Sequence, residues 1–432
     1  MQLNYDVIVF GGGTAGTVAA IQAGRSGART LLVERNGILG CTMTVGGVNA
    51  PAHFFAWGRQ IIAGIGWELV RRTLEETAQP VPTPEFTREN SRPRPLRMDI
   101  GVFAALCDEA VVDAGVDLLF HAMPAEVTFK DDAWTVRVCT KTGLQECRSK
   151  VLIDATGDAN VVSLAGLDVV RPDLVQPGTL VTHCSGYDAE ALDYDALKSA
   201  CEAAIAAGEL KTTDVSWHDD GPESFLRNHG RNANHVRTPK AETSEGRSET
   251  EVEARRAVLR MHRFFRKQPG LEHFRVDWVC TEAGIRETVT IKGKATVTVT
   301  DYEAGKHYDD AVCYAFYSVD EHLNDGLGIN YRTLKPGVLP TVPRGALLPA
   351  DSRFLIAAGR CVASDREANS ALRVECPCMA MGQAAGVLAA LSAQTGVDPE
   401  DLPLDDVYAE LRKHGAIVPG DIENLAATDP AR

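Results

Sequence analysis

Val7-Ile8-Val9-Phe10-Gly11-Gly12-Gly13-Thr14-Ala15-Gly16 decides the fold. An apolar, strand-forming run empties into Gly-x-Gly-x-x-Gly, and Ala19, Ala20, Ile21 and Ala23 then supply the small apolar surface of a helix packed on a sheet. Gly11 permits the tight strand-to-helix turn, Gly13 omits a Cβ where a pyrophosphate must approach the backbone, and Gly16 lets helix and strand pack closely. The N–H groups at the helix start, around Thr14 and Ala15, then face the phosphates with the helix dipole behind them. A second strand, Thr30-Leu31-Leu32-Val33, ends on Glu34, eighteen residues past Gly16. A carboxylate there accepts both hydroxyls of an adenosine ribose and repels a 2′-phosphate. These features predict a βαβ nucleotide-binding unit; by themselves they leave FAD and NAD both open.

The 432 residues suffice for two cores, and 44% hydrophobic with 24% charged residues is ordinary globular material. A net charge of -15 argues against nucleic acid or an anionic membrane as partner, since both select basic surfaces. With the first strand beginning so near Met1 and no apolar run read as reaching about 18 residues, a cytoplasmic protein is expected. The 11 cysteines show no framework spacing and no Cys-x-x-Cys, which fits scattered thiols and gives no metal site.

Arg35 to Asn49 is a glycine-rich loop carrying Cys41, Thr42 and Thr44, suited to follow an extended cofactor. Gln79 to Arg97, with five prolines, reads as a crossing between domains or a flap. A helix from Phe103 to Gly115 and three short strands follow, Val116 to Phe120, Ala125 to Phe129 (holding Val127) and Trp134 to Cys139. Lys150-Val151-Leu152-Ile153-Asp154 is a buried strand that stops at the small turn Ala155-Thr156-Gly157-Asp158. From Gly186 the texture turns helical and charged, and Thr288 to Thr300 alternates as a half-exposed strand does. Arg353 to Arg360 is another strand ending in a glycine turn, after which Pro377 opens a helix carrying Gly382 and Gly386 one turn apart. The boundaries expected are 1-185 and 332-400 for a discontinuous nucleotide domain, 186-331 for an inserted substrate domain, and 401-432 for a helix and tail.

With these glycine turns in view, the sequence resembles the FAD-dependent oxidoreductases related to the fumarate reductase and glutathione reductase flavoproteins. The resemblance rests on Gly11-x-Gly13-x-x-Gly16 with Glu34, on Ile153 to Asp158, on Ile285-Arg286-Glu287, on Ala358 to Val362, and on Cys378 to Gly386, and it covers nearly the whole chain. It implies an α/β fold, a Rossmann-like FAD-binding domain interrupted by an α+β substrate domain. It also implies FAD held by Gly11, Gly13, Thr14, Ala15, Gly16, Glu34, Arg35, Cys41, Thr42, Val127, Ala155, Thr156, Gly157, Gly359, Arg360, Gly382 and Gln383. The chain departs from relatives at Thr288-Val289-Thr290, where two cations are often found, and at Cys376, an added thiol.

A flavin carries the redox chemistry, so the protein must hold a substrate and manage a proton. His322, after the aromatic stretch near Tyr317, is the first candidate acid or base; His53 and His183 are alternatives. Arg286 suits a substrate carboxylate, paired with Glu287 in the sequence. Arg227, His229, Arg231, His235 and Arg237 form a cationic run that suits an anionic or polyhydroxylated substrate or else a solvated loop. The expected activity is hydride transfer between a small polar or anionic molecule and FAD, with an unknown electron acceptor and a possible homodimer. A flavin monooxygenase using NAD(P)H and oxygen, and a non-catalytic FAD protein, are the alternatives.

Overall fold

The computed structural model describes residues 4–84, 96–217, 221–323 and 328–422; most of the expected 79–97 flap lies outside them. Strand β1 (Asn4–Phe10) runs into helix α1 (Thr14–Arg25) and strand β2 (Thr30–Glu34). Ile8, Val9 and Phe10 are fully buried, each side chain worth roughly 1.5–3 kcal/mol of apolar burial, which is why this run forms a central strand. Four further strands follow: β3 (Asp117–Phe120), β4 (Met123–Lys130), β5 (Ala133–Thr140) and the long β6 (Gly143–Asp154). Later come the helix α2 (Ser244–Phe265), the strand β7 (Leu355–Ala357) and the helix α3 (Glu375–Thr395).

These strands make one sheet of seven in the order β3-β2-β1-β6-β5-β4, with β7 beside β6. β6 is shared: its first half pairs antiparallel with β5, its second half parallel with β1 and with β7. Asp154 ends β6 fully buried, and its carboxylate accepts from the Thr156 N–H (3.1 Å), the Thr156 hydroxyl (2.6 Å), Val161 N–H (2.8 Å) and Val162 N–H (3.0 Å). Those four bonds fix the turn at residues 155–157 against the first glycine turn.

α3 lies along α1, and two glycines set the distance. A Cβ on Gly382 would sit 2.2 Å from the Ala15 carbonyl oxygen, and one on Gly386 would sit 2.5 Å from that of Ala19. Against the expectation that no apolar run reaches about 18 residues, α3 is long and apolar enough to cross a bilayer; 89% of its most apolar window is buried inside the protein, so a core helix explains it. Pro377 is its third residue, where no intrahelical N–H bond is lost.

A second, smaller core gathers Leu197, Phe225, Phe265, Leu271 and Phe274 under α2. Val289, Ile291, Val297, Tyr302 and Val312 to Val319 instead join the main core, and Val236, Ala254 and Ala283 form a third, small cluster with Leu180, so residues 186–331 divide among three. The Thr288–Thr300 strand does not form as read: only Thr290–Ile291 is strand, and Val299–Glu303 is helical. The hydrophobic alternation there reflects side chains buried against the turn after β7, whose Cys361 and Ala363 carbonyls accept the Ile291 and Val297 N–H groups.

Candidate active site

One cavity opens at the carboxyl ends of β1, β6 and β7, where open α/β sheets place their ligands. The three glycines of the first turn have separate jobs. Gly11 has φ +96°, and a Cβ there would lie 2.4 Å from the Ala155 oxygen; on Gly16 it would lie 1.8 Å from the Gly11 oxygen. Both are packing requirements of the turn. A Cβ on Gly13 would meet only the Cys41 Cβ, at 3.3 Å, so Gly13 faces open space within the cavity.

That open face, bordered by the start of α1 and by Cys41 and Thr42, fits the diphosphate of FAD. Ala155, Thr156, Gly157, Gly359 and Arg360 line the same cavity further along. Arg360 is held there by Asp158, at 2.5 Å, and by Thr288, at 2.8 Å. Glu34 is buried beside the turn, with its two oxygens accepting the Gly12 N–H at 2.6 Å and the Asn36 N–H at 2.8 Å. Burial pushes its pKa up against those two bonds.

Other expected contacts are placed elsewhere. Gly382 is spent on α1 packing, and Gln383 accepts the Ile65 N–H (3.1 Å) and donates to Gln22 (3.0 Å) and the His414 carbonyl (3.2 Å). Val127 is a core residue of β4, and Arg35 pairs with Glu282. Cys41, Cys376 and Cys378 are free thiols, and burial lifts the Cys41 pKa to about 11. The N-terminal end of α3 reaches the cavity through Val374, Glu375 and Cys378.

Beyond the cofactor segments the cavity is lined by Arg286, Tyr317, Asp320, His322 and Arg373. Arg286 is 8% exposed and donates to the Pro177 carbonyl (2.7 Å), Thr179 Oγ1 (3.0 Å) and Asn232 Oδ1 (3.2 Å). Burial, then Arg373, pushes its pKa down to about 9, which leaves it charged at neutral pH. Arg373 donates to Gln176 Oε1 (3.1 Å) and the Asp320 carbonyl (3.2 Å), while its Nε is buried with no partner. Burial pushes the Asp320 carboxyl up, but His322, Arg373 and Arg286 together hold it below its ordinary value.

His322 ends the strand Val319–His322, and its Nδ1 lies 2.8 Å from His235 Nε2, with the two rings at 71°. Its Nε2 is 3.7 Å from Asp320 Oδ2. Burial and the neighbouring Arg286 lower its pKa to about 3, so it is a neutral imidazole. Trp217 stacks on His235 at 6.0 Å and meets His322 edge-on at 5.2 Å.

Glu287 does not join Arg286. It turns away to accept the Gln176 N–H at 2.7 Å and to pair with Arg366 at 3.2 Å. His53 sits behind the cavity wall with φ +71°, packed on Tyr317 and Phe316, and burial lowers its pKa to about 4. His183 pairs with Asp277 on a half-exposed strand away from the cavity. Of the cationic run only His235 reaches the site; Arg227 pairs with Glu190 and Glu223 at the surface. The sequence reading missed Arg373, Asp320 and Glu375. Arg373 and Glu375 flank the start of an evident glycine-bearing helix, the one signal that pointed to them.

A family model described as FAD dependent oxidoreductase matches residues 6–414. Among solved structures, a geranylgeranyl bacteriochlorophyll reductase-like protein from Thermoplasma acidophilum matches at 12% identity over 95% of this chain and 83% of that one, with a TM-score of 0.44. The p-nitrophenol 4-monooxygenase PnpA from Pseudomonas putida DLL-E4 matches at 13% identity over 96% and 87%, with a TM-score of 0.41. The anhydrotetracycline hydroxylase OxyS from Streptomyces rimosus matches at 17% identity and a TM-score of 0.30; the match covers 42% of this chain and 37% of that one.

Proposed function

The chain belongs to the FAD dependent oxidoreductase family, and on that premise we propose that it moves a hydride between a small anionic substrate and the flavin. FAD, when bound, supplies the two-electron exchange; the side chains around the cavity supply binding and proton handling. One observation carries this reading: the guanidinium groups of Arg286 and Arg373 meet a neutral histidine in the cavity into which the glycine turn opens.

A buried guanidinium nitrogen with no partner is costly, and a carboxylate oxygen satisfies it through a charge-assisted bond. Arg373 Nε is such a donor, and the bonds of Arg286 to Pro177, Thr179 and Asn232 fix its plane before substrate arrives. An anion anchored on this pair lies beside His322. In the tautomer where His322 Nδ1 donates to His235, its Nε2 carries a lone pair and takes the substrate's proton as the hydride leaves. Asp320 Oδ2, near Nε2, then offsets the new imidazolium charge, and the Nδ1 proton has His235 as its next stop. The Trp217 ring packed on both imidazoles keeps bulk water from that bond.

The test is an anaerobic screen of carboxylate, neutral and cationic metabolites for bleaching of the flavin band. Carboxylates should bleach it and their amides or esters should not. Bleaching by neutral compounds alone would sink the anionic reading. Oxygen-dependent NADPH consumption coupled to hydroxylation would select the monooxygenase instead.

A further inference from the structure

We propose that Arg247, carried by the smaller core's helix α2, is a ligand to the FAD diphosphate and ties that part of the chain to the cofactor. The glycine turn offers N–H groups and a helix dipole, but the first turn of α1, Thr14 to Thr17, carries no cation. Arg247 borders the same cavity as Gly13, Cys41 and Thr42 although it lies more than two hundred residues later in the chain. It stands in the first turn of α2, which begins at the Thr243 cap.

The guanidinium of Arg247 is only partly used. Nη2 donates to Glu282 Oε2 at 2.9 Å and Nε stands 4.0 Å from Glu251 Oε1. Nη1 is buried and has no hydrogen-bond partner. Arg247 is also one of the two cations, with Arg35, that counter the rise of the Cys41 thiol driven by burial, which sets its charge beside the loop facing Gly13. A diphosphate oxygen in that gap gives Nη1 a charge-assisted partner. Glu282, which also accepts from Arg35, orients the guanidinium and leaves Nη1 for the ligand.

The rival is an ion pair that merely joins α2 to the loop carrying Arg35 through Glu282, and the two readings separate on cofactor affinity, independent of any substrate. Apoprotein prepared from the purified holoenzyme is titrated with FAD by flavin fluorescence, and with ADP as competitor. Loss of one charge-assisted bond to phosphate should weaken FAD and ADP alike by ~10-fold or more in Arg247→Ala, with partial recovery in Arg247→Lys. Glu282→Gln, which removes a carboxylate from beside the phosphates, should leave FAD affinity unchanged or raised. Wild-type FAD affinity in Arg247→Ala overturns the proposal, and so does a Glu282→Gln loss equal to that of Arg247→Ala. Should Arg247→Ala fail to fold, Arg247→Gln keeps the bulk without the charge and must show the same loss of FAD and ADP affinity. Because FAD binding is measured here, failure of this idea leaves the anionic-substrate reading untouched, and failure of that reading leaves this one standing.

Discussion

Two residues divide the work at the smallest scale. His322 is neutral, buried and bonded to His235, and it stands beside the charges of Arg286 and Asp320. Its removal should lower the rate of flavin reduction by ~10²-fold, the scale of a lost general acid or base, with FAD content unchanged. Stopped-flow reduction of His322→Ala at the wild-type rate would remove it from the mechanism. Gly13 differs from Gly11 and Gly16 in that a Cβ there would meet only a side chain, the Cys41 Cβ at 3.3 Å, and no backbone. Gly13→Val should therefore fold, melt close to the parent apoprotein and lose FAD, whereas a valine at Gly16 should not fold. A yellow Gly13→Val protein contradicts the placement of the diphosphate. At this scale the sequence was partly legible. The turn glycines announce themselves by spacing, and His322 is a candidate through its place after the aromatic stretch near Tyr317, but Arg373 and Asp320 acquire meaning only through a cavity built from segments far apart in the chain.

Elements explain why one acid at that cavity behaves unusually. Glu375 opens α3, where the helix dipole favours its ionised form, yet burial wins and raises its pKa from 4.5 to about 7, against Arg373 and its own N–H. A raised carboxyl pKa means that the folded state binds the proton more tightly than the unfolded chain does. The associated stability is present below pH 4.5 and is lost as pH rises towards 7. Glu375→Gln escapes that loss, so its stability relative to the parent should grow between pH 4.5 and 7 by up to roughly 3 kcal/mol. Denaturant midpoints at both ends of this range measure it; a gap that does not change with pH refutes it. α3 itself was legible, since Gly382 and Gly386 mark a smooth face and α1 supplies the matching one. The segment 288–300 was not: its alternation is real, but a loop buried against the turn after β7 produces the same pattern as a strand with one wet face.

At the scale of the whole molecule the sheet is assembled from both ends of the chain. β6 accepts β1 on one side and β7 on the other, and α3 covers α1, so the N-terminal half lacks two of its packing partners until the C-terminal segments arrive. A chain ended after residue 350 should retain the second core but show no cooperative melt of the first and no bound FAD. A cooperative, flavin-binding 1–350 fragment would contradict this. The discontinuous nucleotide domain was legible because each returning strand ends in a glycine turn; the division of 186–331 among three buried clusters was not, because burial against a distant partner leaves no local mark. The shared strand β6 also has a consequence during synthesis. About 200 residues separate Asp154 from Leu355, so at ribosomal rates the parallel edge of β6 waits roughly 10–40 s for β7. Through that interval an apolar strand edge is open to wrong partners, which makes the nascent chain a client for chaperones even though the finished sheet has no such opening there.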